Sequence, residues 1–171
     1  MARFSSDVET IIKALNLQRH PIENGYWRLV FDSPCNNYSS THQGEERETF
    51  SYIYYLLETT DWSPWHRMKG TQEFWTHHKG GTLQIHMILP DGTYHLQQLG
   101  DPFVDAESSL DCVIPPDTWF ALDMKDKASY TLAISCCVPG FDQRDMEMLT
   151  RKEMVKIFPQ HQIIIEKFTN A

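Results

Sequence analysis

Apolar residues recur first at helical spacing and then, for most of the chain, at strand spacing. Val8, Ile11, Ile12 and Leu15 fall three and four apart, the stripe of an amphipathic helix. Ser6 with Glu9 three residues on forms a capping-box pattern, and His20-Pro21 closes the segment, so a helix is predicted over about residues 6–18. From about residue 25 the pattern changes to short runs rich in β-branched and aromatic residues: 26–31, 49–57, 73–78, 82–89, 94–99, 111–114, 119–122 and 130–138. Turn chemistry separates them at Lys79-Gly80-Gly81, Pro90-Asp91-Gly92, Gly100-Asp101-Pro102 and Pro115-Pro116-Asp117. Strands at such short, regular spacing predict an all-β barrel or sandwich over about residues 25–139. A helical tail is predicted over about 142–171. In it, Asp142 caps residues 143–149, Thr150 and Glu153 form a second capping box, and Pro159 ends the segment. Residues 162–168 read as one more strand, and the polar stretch 33–48 as a mobile loop. No linker or repeat divides the chain, which predicts one domain over residues 1–171.

Composition narrows the partners. The 171 residues are 41% hydrophobic, enough for a core without disulfide or metal staples. Fifteen Lys and Arg against 23 Asp and Glu leave a formal charge of −8, which argues against nucleic acid and anionic membranes. No apolar stretch approaches the length of a membrane span. The polar start Met1-Ala-Arg-Phe-Ser-Ser-Asp has no apolar signal core, and Cys35, Cys112, Cys136 and Cys137 read as reduced thiols, so the chain is expected in the cytoplasm. Neither Cys136 nor Cys137 has a sequence partner for nucleophilic chemistry.

The densest polar chemistry lies at 65–80. Glu73, Trp75 and His77 share one strand face, and His66 and Met68 share a face of the preceding segment. Paired antiparallel across the turn 69–72, the two faces bring two imidazoles and a carboxylate into one tryptophan-walled hollow, as an acid/base group or as a metal site. The competing reading leaves His77 and His78 in solvent at a strand end and pairs Glu73 with Arg67.

His66-x-Met68-x4-Glu73-x6-Gly80 resembles the first motif of the cupin superfamily, G-x5-H-x-H-x3-4-E-x6-G, with Met68 in place of the second histidine and Thr60 in place of the leading glycine. Pro115-Pro116-Asp117-Thr118-Trp119-Phe120 resembles the second motif, P-x-G-x2-H, with Asp117 for the glycine and Phe120 for the histidine. Further segments resemble signatures of the DUF985 (cupin-5) family in the same order. They are His20-Pro-Ile-Glu-Asn-Gly-Tyr-Trp-Arg28, Ile53-Tyr-Tyr-Leu-Leu-Glu58, Ser63-Pro-Trp-His-Arg67, Pro90-Asp-Gly92, Val113-Ile-Pro-Pro-Asp-Thr-Trp119, Val138-Pro-Gly-Phe-Asp142 and Phe158-Pro-Gln-His161. Thr76 and His77 depart from that family's pattern.

This resemblance implies an RmlC-like cupin jelly roll and a homodimer that exchanges N-terminal strands, with residues 26–31 at the interface. It also implies a metal held by three histidines and a glutamate, of which this chain retains only His66 and Glu73. A thioether suits a hard divalent ion poorly and a phenyl ring not at all, so no cofactor is expected; His77 and His86 are the residues that would rebuild a metal site. Without a metal, His66 reads as the general base, Glu73 as its orienter or a second acid/base group, and His77 as a proton partner or oxyanion stabiliser. Tyr52, Tyr54 and Tyr130 are candidate opposing acids. Met68, Trp75, Trp119 and Phe120, with Trp62 and Trp65, are candidate walls for a ring-bearing ligand. The leading expectation is a metal-independent isomerase, epimerase or cyclase acting on a small, partly apolar carbonyl or hydroxylated substrate. The alternatives are a non-catalytic small-molecule-binding cupin and a metal-dependent oxygenase.

Overall fold

The computed structural model describes residues 2–39, 41–42, 44–125 and 130–170, without the side chains of residues 2–6 and 36–38. Helix α1 (Ala2–Leu15) precedes β1 (Gln18–Arg19), β2 (Tyr26–Asp32), β3 (Cys35–Tyr38), β4 (Glu46–Glu48), β5 (Ser51–Glu58), β6 (Ser63–Met68) and β7 (Gln72–Gly80). Then come β8 (Leu83–Ile88), β9 (Tyr94–Leu99), β10 (Asp111–Ile114), β11 (Trp119–Met124), β12 (Tyr130–Val138), β13 (Met146–Glu147), α2 (Arg151–Ile157) and α3 (Gln162–Lys167). A six-stranded sheet of order β1-β2-β5-β12-β7-β10 faces a five-stranded sheet of order β13-β6-β11-β8-β9, and β3 pairs with β4 apart from both.

Strand alternation sorts the side chains into three apolar layers. Inward positions, among them Tyr55, Trp75, Ile85, Phe120, Leu122 and Ala133, fill the barrel between the sheets. Outward positions Leu56, Tyr130 and Leu132 of the larger sheet are covered by Val8 and Leu17 at the N-terminal helix. On the smaller sheet, Trp65, Ile88, Trp119 and Ala121 are covered by Met154, Ile165 and Phe168 from α2 and α3. The expected all-β jelly roll with helices outside is therefore what forms.

Two motif positions have a backbone reason. Gly80 adopts φ +99°, and a Cβ there would stand 2.0 Å from the Tyr130 carbonyl oxygen, so only glycine fits. Asp117 adopts φ +62° at the position where the second cupin motif has glycine. Aspartate is one of the few side chains that tolerates that region.

Several expectations change. Helix α1 starts at Ala2, so Ser6 lies inside it and cannot cap it, and the helix ends at Leu15. Asp142 does cap, accepting from the Arg144 amide, but the result is one 3-10 turn, Gln143–Asp145. The next residues form β13, which pairs with β6. The Thr150–Glu153 capping box is present at α2. Residues 162–167 form α3 rather than a strand, with Phe168 as its C-cap. Its Ile165 and Phe168, three apart, dock in the outer core while Ile163 is 89% exposed, so packing at helical spacing overrides the β-branched run. The stretch 33–48 contains the β3–β4 hairpin. Finally, β6 and β7 do not pair with each other: β6 pairs with β11 and β13, β7 with β12 and β10, so the two face each other from opposite sheets.

Candidate functional site

A cavity of about 280 Å³ opens at one end of the barrel. Ile22, Trp27, Leu29, Ile53, Met68, Trp75, Phe141 and Met146 supply its apolar walls. His20, Glu23, Asp32, His66, Glu73, Ser135, Cys137 and Gln143 supply its chemistry.

Glu73 enters from β7 and is only 5% exposed. Trp75 Nε1–H and Ser135 Oγ–H, both from the same inner face of the sheet, donate to its Oε2 at 3.0 Å each. Among the described residues nothing hydrogen-bonds Oε1. Burial raises the Glu73 carboxyl above its ordinary pKa; His66 and the two hydrogen bonds pull it back, and Glu23 pushes it further up.

His66 enters from β6, opposite. Its ring packs against Phe120 with centroids 4.1 Å apart, and its Nδ1 lies 2.7 Å from the Pro64 carbonyl. A carbonyl only accepts, so Nδ1 carries the proton and the neutral ring presents its lone pair at Nε2. Burial lowers the His66 pKa, with Glu73 the main opposing influence.

The third part is the turn at 20–25. His20 N–H donates to Gly25 O at 3.0 Å, closing it, and Tyr55 Oη–H reaches the carbonyls of Glu23 and Asn24. Gly25, at φ +64°, lets the turn lie on Leu56, because a Cβ would stand 2.5 Å from that carbonyl oxygen. Within the turn, His20 Nδ1 accepts from the Glu23 amide at 2.8 Å, so its proton sits on Nε2 in the neutral ring. Glu23 Oε1 lies 3.8 Å from His20 Nε2 and 3.8 Å from His66 Nε2. Burial raises the Glu23 pKa and lowers that of His20.

The expected residues divide sharply. His66, Glu73, Met68 and Trp75 meet at the cavity, and Phe120 backs the His66 ring. His77 does not join them. It faces inward, but four residues farther along β7, about 13 Å at strand rise, and its amide is tied to Leu110 O at the opposite end. Tyr54 and Tyr130 point outward, Tyr54 beneath Arg28 and Tyr130 beneath the N-terminal helix. Trp119 also points outward, under Arg67 and in the layer covered by the C-terminal helices. His86 is outside as well, bonded to Tyr94 Oη at 2.7 Å and Asp123 Oδ1 at 3.0 Å. The proposed Glu73–Arg67 pair is absent, because Arg67 pairs with Glu147 on the outer face.

His20, Glu23 and Ser135 were not singled out from the sequence. Ser135 shares strand parity with Ala133 and Cys137, a signal that was available. His20 and Glu23 sit in a turn with no periodicity, and only the tertiary fold brings them over the barrel mouth.

The three-histidine, one-glutamate metal set of cupins does not fit these residues. Met68 and Phe120 stand at two ligand positions, His77 is at the far end and His86 is outside the barrel. Among the described residues no group of three or more His, Cys, Asp or Glu is placed to hold a metal ion.

A family model described as Cupin superfamily (DUF985) matches residues 9–149. The chain belongs to this DUF985 family of cupins. A hypothetical protein from Leishmania major is 29% identical, with a TM-score of 0.84 over 95% of this chain and 98% of that one. A protein from Shewanella oneidensis is also 29% identical, with a TM-score of 0.81 over 95% and 97%. A dTDP sugar isomerase from Desulfovibrio desulfuricans shares the fold at 13% identity, with a TM-score of 0.50 over 72% and 83%. No protein of curated function matches the chain. This cupin therefore has an assigned fold and family, and its chemistry rests on the cavity alone. Among its described residues no helix is long and apolar enough to cross a membrane.

Proposed function

We propose that this cupin is a cytoplasmic acid/base enzyme of the isomerase, epimerase or cyclase type. Its substrate is a small, partly apolar molecule bearing a carbonyl or hydroxyl group. The supporting observation is the His66 tautomer: Nδ1–H is bound to Pro64 O at 2.7 Å, which aims the Nε2 lone pair into the cavity. Nε2 takes the proton from a carbon next to the substrate carbonyl. Glu23, whose carboxyl is held protonated more readily by burial, supplies a proton to the developing oxyanion, the role first expected of His77. The proton on His66 then returns to carbon while the enol hydroxyl gives its proton back to Glu23, so the carbonyl reforms, both residues are restored and the reaction is redox-neutral. Glu73 stabilises the imidazolium that forms in between.

Proton exchange tests this reading. With a panel of small ketones in D2O, wild-type protein is expected to wash deuterium into the carbon beside the carbonyl. His66→Ala should lose about 10²–10⁴ of that rate with its fold intact, as measured by circular dichroism. A rate equal to that of buffer across the panel would leave the alternative, a ligand-binding cupin without turnover.

The same reading takes the protein as a homodimer. Leu29 and Phe31 on β2 are each 44% exposed, on a strand near the edge of the larger sheet. A monomeric mass in solution would count against it.

A further inference from the structure

The charge inside the cavity selects the ligand further. Glu23, Asp32 and Glu73 line it, and among the described residues no Lys or Arg does. The nearby guanidiniums are committed elsewhere. Arg28 alternates outward to lie over Tyr54, Arg47 is held by Asp145 and Gly140 O, and Arg144 is paired with Asp142 and Glu45. The imidazoles do not replace them: the Glu23 amide donating to His20 Nδ1 holds that ring neutral, and burial disfavours the charged form of His66.

Three acidic side chains thus line an apolar hollow with no fixed positive charge, an arrangement that costs the protein free energy and that a positively charged ligand relieves. The acidic residues are not the only pointer. Glu73 is 5% exposed and leaves Oε1 unbonded toward the cavity, and His66, 2% exposed, leaves its Nε2 lone pair there. Both side chains line the same open cavity, and among the described residues neither acceptor atom has a hydrogen-bond donor. A protonated amine offers up to three N–H donors together with the missing charge. The indoles of Trp27 and Trp75, with Leu29 and Ile53, suit an apolar body attached to it.

We infer that the cavity takes an organic cation: an amine carried on a compact apolar or aromatic body, its ammonium against Glu73. This rests on the proposed reading of the cavity as the substrate site and narrows the substrate to a cationic carbonyl or hydroxyl compound. An anionic substrate such as a nucleotide-linked sugar would meet three acidic side chains and no counter-charge.

Three probes of one shape test it: 2-phenylethylamine, 2-phenylethanol and phenylacetate, titrated into the full chain at neutral pH by ligand-observed NMR. The amine is expected to bind tightest and phenylacetate weakest, in the millimolar range usual for ligands of this size. Glu73→Gln should weaken the amine about tenfold or more while leaving the alcohol unchanged. Glutamine keeps an acceptor for Trp75 and Ser135, and the alcohol shows whether the pocket survives. Equal or tighter binding of the alcohol or of phenylacetate overturns the inference, as does no amine binding at tens of millimolar. Ni²⁺ or Mn²⁺ displacing the amine from wild type but binding neither His66→Ala nor Glu73→Gln overturns it in favour of an inorganic cation. Amine binding without deuterium exchange on any ketone, amino ketones included, would remove the catalytic reading and leave this one standing.

Discussion

His66 Nε2 and Glu23 Oε1 stand 3.8 Å apart across the barrel mouth, too far for a hydrogen bond and close enough for each to feel the other's charge. One comes from a strand of the smaller sheet, the other from the turn that follows β1. The same Glu23 oxygen faces His20 Nε2 at 3.8 Å, so a protonatable carboxyl lies between a ring nitrogen that donates and one that accepts. The arrangement suits proton movement between the cavity and the turn.

This geometry sets a pH expectation. Burial lowers the His66 pKa below the ordinary 6.5, so the ring stays neutral to lower pH than a free imidazole does. The rising limb of the kcat/KM profile should therefore lie at a lower pH than an unperturbed histidine would give, and ionisation of Glu23 should bring the falling limb. Nitrogen-15 shifts of His66 should show the Nδ1–H form at pH 7. A doubly protonated ring there would refute the tautomer assignment.

Glu73 carries the opposite sign. Its pKa is raised above 4.5, so above that pH the folded state binds more protons than the unfolded chain, and this residue's contribution to stability falls as pH rises through its folded pKa. Glu73→Gln lacks that loss. Its stability relative to wild type should improve as pH rises from 4.5 through the folded-state pKa of Glu73 and stay level above it, as read from urea midpoints at fixed m.

The segment that closes one side of the cavity depends on a buried ion pair. Arg47 of β4 holds Asp145 and donates through Nε to Gly140 O at 2.8 Å, and Phe141, Gln143 and Met146 around that point line the cavity. Asp145→Ala leaves Arg47 buried and uncompensated, at a cost of about 3–5 kcal/mol. Arg47→Met together with Asp145→Leu should cost less than Asp145→Ala alone. Urea unfolding of the single and double variants measures both.

Phe168 carries the docking of the C-terminal helices. It is 1% exposed and packs on Trp62, Trp65 and His86. Phe168→Ala should cost about 3–5 kcal/mol, whereas Ile163→Ala, on the exposed face of the same helix, should change stability by less than about 0.5 kcal/mol. Thermal unfolding distinguishes them.

Gly80→Ala should be among the most damaging small substitutions, because its new methyl would meet the Tyr130 carbonyl where β7 and β12 pair. A melting temperature unchanged from wild type would contradict the register described here.

Local periodicity carried much of the architecture. Alternation along Glu73, Trp75 and His77 placed all three on the inner face, and the helical stripe from Val8 to Leu15 marked α1, because both signals depend only on neighbours in sequence. The spacing around His66, Glu73 and Gly80 resembled a cupin motif and led to the family, since those positions answer to backbone geometry and barrel closure. Depth along the barrel is not encoded that way. Glu73 and His77 share a face yet lie at opposite ends, and parity says nothing of the distance between them. The sheet to which β6 and β7 belong was likewise decided by long-range pairing, which set His66 across the interior from Glu73. The fate of Ile163, Ile164 and Ile165 depended on which surface was free to receive Ile165 and Phe168. Above all, His20 and Glu23 became part of the site only because Gly25 and Tyr55 fold their turn over the barrel mouth, bringing together groups more than forty residues apart in the chain.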